Sequence, residues 1–181
     1  MTDKIRAVHP LRVAEFFEDH NLVIDRPSEL SIRALLENAT VLGELANPDI
    51  FQLSAIWSGM VQEPKDLERI LELISSANST LFAPKAYTIP GPRLGTAYLA
   101  AEGNVPIGSG LSELQFFSFI ETTLTAIVGF FSQVELVLPH LVTWGPAPTP
   151  AKNTKLTTLF PSTPPGAPDM NHDPLSDGTG L

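Results

Sequence analysis

No cysteine occurs anywhere in the 181 residues, which excludes disulfides, thiolate metal sites and a thiol nucleophile together. Positive charge is scarce as well. Eleven Lys and Arg against 20 Asp and Glu leave a net charge of -9, so the chain lacks the cations from which nucleic-acid binding draws much of its affinity, and no nucleic-acid partner is expected. With 17% charged residues the field is modest; it favours solubility and is compatible with basic protein partners. The four histidines, His9, His20, His140 and His172, stand far apart without the spacing of a zinc helix, so no metal and no cofactor is expected. An unbroken apolar run is missing behind Lys4 and Arg6, because the charged segment 12–20 follows. A signal peptide is therefore not expected, and the cytoplasm is the expected location.

Proline and glycine, by contrast, are abundant and unevenly placed. After Trp144 come Gly145, Pro146, Pro148, Pro150, Pro161, Pro164, Pro165, Pro168 and Pro174 with few large apolar residues, the composition of a disordered tail. Two parts are expected: a domain over 1–144 and a Pro-rich tail over 145–181. Leu156, Leu159 and Phe160 form the tail's one apolar cluster.

Within 1–144 the hydrophobic period sets the elements. Pro10 suits the first turn of a helix, with Val13, Phe16, Phe17 and His20 on one side. Leu22 to Ile24 is a short apolar run suited to a strand. Thr40 to Leu45 and Ile50 to Met60 flank the turn signal Asn47-Pro48-Asp49 and predict a hairpin. Ile32 to Leu36 fits a helical turn by spacing and a sheet edge by its neighbours, and the strand is preferred. Pro64 and Asp66 open a helix carrying Leu67, Ile70, Leu71 and Ile74 as one stripe, expected to stop near Asn78. A second hairpin, Leu81 to Ile89 and Leu94 to Ala101, surrounds Pro90-Gly91-Pro92-Arg93. Ser112 with Gln115 forms a capping box that starts a long helix ending before Pro139. The predicted class is α/β (α+β), an antiparallel sheet with helices packed on it, in the order α-β-β-β-α-β-β-α.

The long helix raises the question of a membrane span, since Phe116 to Leu138 approaches the required length. Glu121, Gln133 and Glu135 would then lie in lipid, and no Lys or Arg cluster flanks the segment. A buried helix is expected, without membrane insertion. One of its faces, Ser118, Thr122, Thr125, Gly129, Ser132 and Gln133, is small or polar. Phe116, Phe117, Phe119, Phe130 and Phe131 crowd the rest, more than one sheet face readily covers. Together with Trp57 they are the candidate partner or dimer surface.

Several fragments in order resemble the YbjN family, in particular its actinobacterial branch. They are Val13-Ala14-Glu15-Phe16-Phe17 leading to Leu22-Val23-Ile24-Asp25, and Asn38 before a hairpin whose second strand carries Trp57. Then come Asn78 followed by Pro84-Lys85-Ala86-Tyr87, Gly110-Leu111-Ser112 with Gln115, and Pro139. The resemblance spans about Val8 to Leu141. It departs from the family at Ala77, where a tryptophan often stands, and in the prolines of the second hairpin turn. It implies a fold similar to type III secretion chaperones, commonly dimeric, in a family described as sensory-transduction regulators.

Catalytic chemistry is not indicated. Gly108-Ser109-Gly110 lacks the lysine of a phosphate loop and the elbow of a hydrolase, Glu68 and Glu72 are interspersed with Lys65 and Arg69 as on a solvated face, and Lys85 suits a strand edge. No catalytic residues are assigned. The sequence therefore points to a non-catalytic protein-binding regulator or chaperone-like adaptor, expected to form a homodimer and to bind an unidentified protein. The alternative is a small-molecule sensor holding its ligand between the sheet and the last helix.

Overall fold

The computed structural model describes residues 4–144; the expected tail lies outside them. The chain forms α1 (Pro10–Asp19), four consecutive strands β1 (Val23–Ser28), β2 (Ser31–Leu35), β3 (Ala39–Asn47) and β4 (Ile50–Val61), then α2 (Pro64–Thr80), β5 (Lys85–Pro90), β6 (Ala97–Pro106) and α3 (Glu113–Val137), closed by a short 3-10 turn over Pro139–Leu141. The ambiguous segment is thus a strand, β2, and the order becomes α-β-β-β-β-α-β-β-α. One six-stranded antiparallel sheet results, ordered β1-β2-β3-β4-β6-β5. The hairpin at Asn47 and Ile50 and the second hairpin at Pro90 and Ala97 pair as expected.

Strand alternation divides the sheet into two faces. Ala34, Val41, Ala55, Ala101 and Ala86 lie in register across five strands and are all buried. The next row, Ile32, Gly43, Leu53 and Gly103, looks the same way. A Cβ on Gly43 would meet Val13 of α1 at 3.2 Å, and one on Gly103 would meet Thr123 of α3 at 2.7 Å. Glycine at 103 is what lets α3 lie so close to β6. The third helix, α2, packs against α3 and β5, so all three helices cover one face.

Local chemistry fixes the joints. Ser112 Oγ accepts from the Gln115 N–H at 3.2 Å while Gln115 Oε1 accepts from the Ser112 N–H at 3.0 Å, a complete capping box. Asn78 does not end α2, which continues to Thr80. Its amide instead donates to the Ala86 carbonyl at 2.8 Å and accepts from the Ala86 N–H at 2.9 Å, tying α2 to β5. By length and composition α3 could cross a membrane; in the fold, Phe116, Ile120, Leu124, Ile127, Phe131 and Val134 bury its apolar side in the core.

Candidate functional site: the uncovered face of the sheet

The six residues expected to form a partner surface do not form one. Trp57, Phe116, Phe130 and Phe131 belong to the core of the single chain, and Phe117 and Phe119 are half-buried against it. The reason lies in the neighbours of α3. Phe117 meets Phe16 of α1 edge-on at 5.4 Å, and Phe116 and Phe119 meet Phe51 of β4 at 5.1 and 6.2 Å. The helix is wrapped by the sheet and by α1 together, which a count of phenylalanines against one sheet face omits. What α3 turns to solvent is its small and polar stripe: Ser118, Thr122, Thr125, Gly129, Ser132 and Gln133 are all exposed.

Trp57 is held in place by polar contacts. Its indole N–H donates to Glu135 Oε1 at 3.0 Å, the Asn38 amide donates to the same oxygen at 2.8 Å, and the ring meets Trp144 edge-on at 5.4 Å. Of the residues that carry the family resemblance, Asn38, Trp57, Asn78, Ser112 and Gln115 thus serve the architecture.

Apolar surface is left over on the opposite side of the sheet. Val23, Leu35, Thr40, Ile56, Ala100 and Tyr87 are successive register partners from β1 to β5, one residue per strand. Val23 is 70% exposed, Leu35 54%, Ile56 41% and Tyr87 37%. Leu42, Met60, Tyr98 and Ile89, half-buried, extend the same face. Four exposed apolar side chains at one level, with Thr40 half-buried and Ala100 buried between them, exceed the scattered exposure normal for a soluble protein.

Beside this row runs a polar one: Asp25, Arg33, Leu42, Ser54, Glu102 and Lys85, again one per strand. Arg33 is paired with Asp25. That contact holds the Asp25 carboxyl below its ordinary range, with a backbone hydrogen bond from Arg26 adding to the effect. Glu102 collects hydrogen bonds from Gln52 Nε2 at 2.6 Å, Tyr87 OH at 2.8 Å and Asn104 Nδ2 at 3.0 Å. Burial first, then the bond to Glu102, pushes the Tyr87 phenol up to about 12.

Other features are smaller. A groove of about 710 Å³ lies where α3 crosses β6, lined by Phe82, Val105, Gln115, Phe119 and Thr122 with Lys85 at its rim. Arg69 and Glu72 form an ion pair at 2.6 Å, in keeping with a solvated face on α2. Gly108 and Gly110 have φ of 38° and 120° in the turn that leads into α3. Among the described residues no group of three or more His, Asp or Glu is placed to hold a metal ion.

No family model and no curated protein sequence matches the chain. Among solved structures it is similar to the crystal structure of YbjN, "a putative transcription regulator from E. coli", with a TM-score of 0.56 at 12% identity, over 76% of this chain and 96% of that one. The fold is YbjN-like. At that identity the likeness to YbjN is one of architecture: an α+β domain of six antiparallel strands and three helices.

Proposed function

We propose that this protein is a non-catalytic protein-binding regulator or chaperone-like adaptor of the actinobacterial YbjN branch, working in the cytoplasm as a homodimer through the uncovered face of its sheet. The observation that carries the proposal is the row from Val23 to Tyr87, whose apolar members on β1, β2, β4 and β5 are exposed while every helix packs on the other side of the sheet.

Area supports a stable contact. Six strands about 4.8 Å apart and roughly 17–20 Å long present on the order of 500 Å² in projection, a large part of the ~800 Å² per partner of a standard interface. The second copy is the occupant that needs no other molecule, and an isologous pair satisfies both exposed faces at once. The polar α3 stripe and the α3/β6 groove then stay free for a protein client.

Solution mass of the full chain by light scattering, beside Ile56→Lys and Leu35→Lys, tests this. We expect a dimer that either substitution turns into a folded monomer. A monomeric wild-type chain at micromolar concentration overturns the proposal.

The groove favours a second reading, a small-molecule sensor. Its apolar wall of Phe82, Val105 and Phe119, with Lys85 and Glu102 both in the lining, fits a small apolar ligand with one polar end. Addition of hexanoate should then shift the amide resonances of Gly103 and Thr122; unshifted resonances reject this reading.

A further inference from the structure

Resting on the dimer proposed above, we infer that the two copies stack face to face about a two-fold axis parallel to the strands, between β3 and β4. The inference comes from the order of charges along the polar row. From β1 to β5 it reads Asp25, Arg33, Leu42, Ser54, Glu102, Lys85: acid, base, two neutral residues, acid, base. Reversed, the same row reads base, acid, two neutral residues, base, acid. Laid against its own reverse, every charge meets its opposite.

An axis along the strands performs this reversal. It places β1 over the partner subunit's β5, β2 over its β6 and β3 over its β4, while each residue keeps its level along the strands. Asp25 then opposes the partner subunit's Lys85, Arg33 opposes the partner subunit's Glu102, and the two-fold repeats both pairs. Arg33, Asp25 and Lys85 are exposed in the single chain, so the pairing desolvates them only in the dimer. Sheets packed face to face stand about 10 Å apart, a gap that two long side chains close.

The neighbouring rows obey the same operation. In the apolar row, Leu35 meets the partner subunit's Ala100, Thr40 its Ile56 and Val23 the ring of its Tyr87. In the row of Ser31, Glu44, Gln52 and Asn104, Glu44 meets the partner subunit's Gln52, which can donate to it, and Ser31 meets its Asn104. The other in-plane axis, perpendicular to the strands and centred on the apolar row, fails on charge. It would lay the Glu102 and Lys85 level over the partner's Tyr98 and Ile89, two residues beyond Ala100 and Tyr87, and bury both charges against apolar groups with no opposing charge from the partner.

A double-mutant cycle decides the matter because Asp25 and Lys85 sit at opposite edges of one sheet. Five strand spacings, about 24 Å, separate them within a chain, well beyond the roughly 8 Å over which exposed charges act at physiological salt. Energetic coupling between the two positions therefore has to pass through the second copy.

The dimer dissociation constant is measured by sedimentation for full-length wild type, Asp25→Lys, Lys85→Asp and the double variant. Circular dichroism checks that each is folded. Each single variant is expected to weaken the dimer by about tenfold or more, since like charges then face each other twice per dimer, and the double variant to return to within about threefold of wild type. A wild-type dimer with additive single effects overturns this geometry and leaves the sheet-face dimer standing. A wild-type monomer overturns both.

Discussion

The indole N–H of Trp57 and the carboxylate of Glu135 meet at 3.0 Å across the seam between β4 and the last turn of α3. Asn38 shares the same acceptor oxygen, so one carboxylate satisfies donors from the β2–β3 connection and from β4. Glu135→Leu leaves both donors without that partner and is expected to cost about 2–4 kcal/mol, whereas Glu135→Gln keeps an acceptor and is expected to cost about 1 kcal/mol. Urea unfolding of the two variants measures this; equal losses would show that shape and not the shared oxygen matters.

Gly59 underlies the same tryptophan. A Cβ there would stand 2.2 Å from the Trp57 ring, and the ring is held elsewhere by Glu135 and Trp144. Gly59→Ala is expected to destabilise the fold by about 1–3 kcal/mol through this overlap, with a changed tryptophan emission spectrum as its signature. An unchanged spectrum and urea midpoint would refute it.

Substitutions on α3 should separate core from surface. Phe130 is buried, and Leu136, six residues on, is 82% exposed. Phe130→Glu puts a charge into the core and is expected to abolish cooperative unfolding, while Leu136→Glu is expected to stay within about 0.5 kcal/mol of wild type. Thermal melts monitored by circular dichroism would contradict the packing if both variants melted alike.

At high pH the phenol of Tyr87 becomes a probe of the open sheet face. Its pKa is raised from 10.0 to about 12 in the fold, so the neutral phenol is favoured by folding. That contribution is complete below pH 10 and is lost as pH rises towards about 12, because the unfolded chain releases its proton first. Phenolate absorbance in a Tyr98→Phe background should show this late ionisation, and Tyr87→Phe should remove part of the alkaline loss of stability. A phenol that titrates at its ordinary value would sink the assignment.

Much of the architecture was legible in the sequence because it rests on local signals: the capping box at Ser112, the Asn47-Pro48-Asp49 turn, and the stripe of Leu67, Ile70 and Ile74. The strand β2 was ambiguous for a physical reason. Ile32 and Ala34 point to the core while Leu35 joins the exposed row, so apolar residues fall on both faces and the period of two is lost. Boundaries moved for similar reasons. Leu81 and Leu94 looked like strand starts, yet both are exposed and pairing begins at Lys85 and Ala97. At its far end β6 runs on to Pro106 through Gly103, which resembles a breaker but is needed where α3 comes close. The exposed row on the open face was not legible because it is assembled from residues on different strands, and no window of the chain contains more than a fragment of it.

Arg12 sets a timetable. Its buried guanidinium donates to the carbonyls of Arg6, Ala7, Leu111 and Ser112 at 3.2–3.3 Å and lies 4.8 Å from the centre of the Phe116 ring, while Arg6 and Leu111 exchange two backbone hydrogen bonds. Leu111 and Ser112 lie about a hundred residues along the chain from Arg12, a closure whose entropy has to be met before the contacts repay it. On the ribosome the first helix is therefore made early but anchored late: its arginine has only part of its carbonyl cage until Ser112 has emerged, after every strand of the sheet. The first helix completes its anchorage only with the turn that leads into the last one.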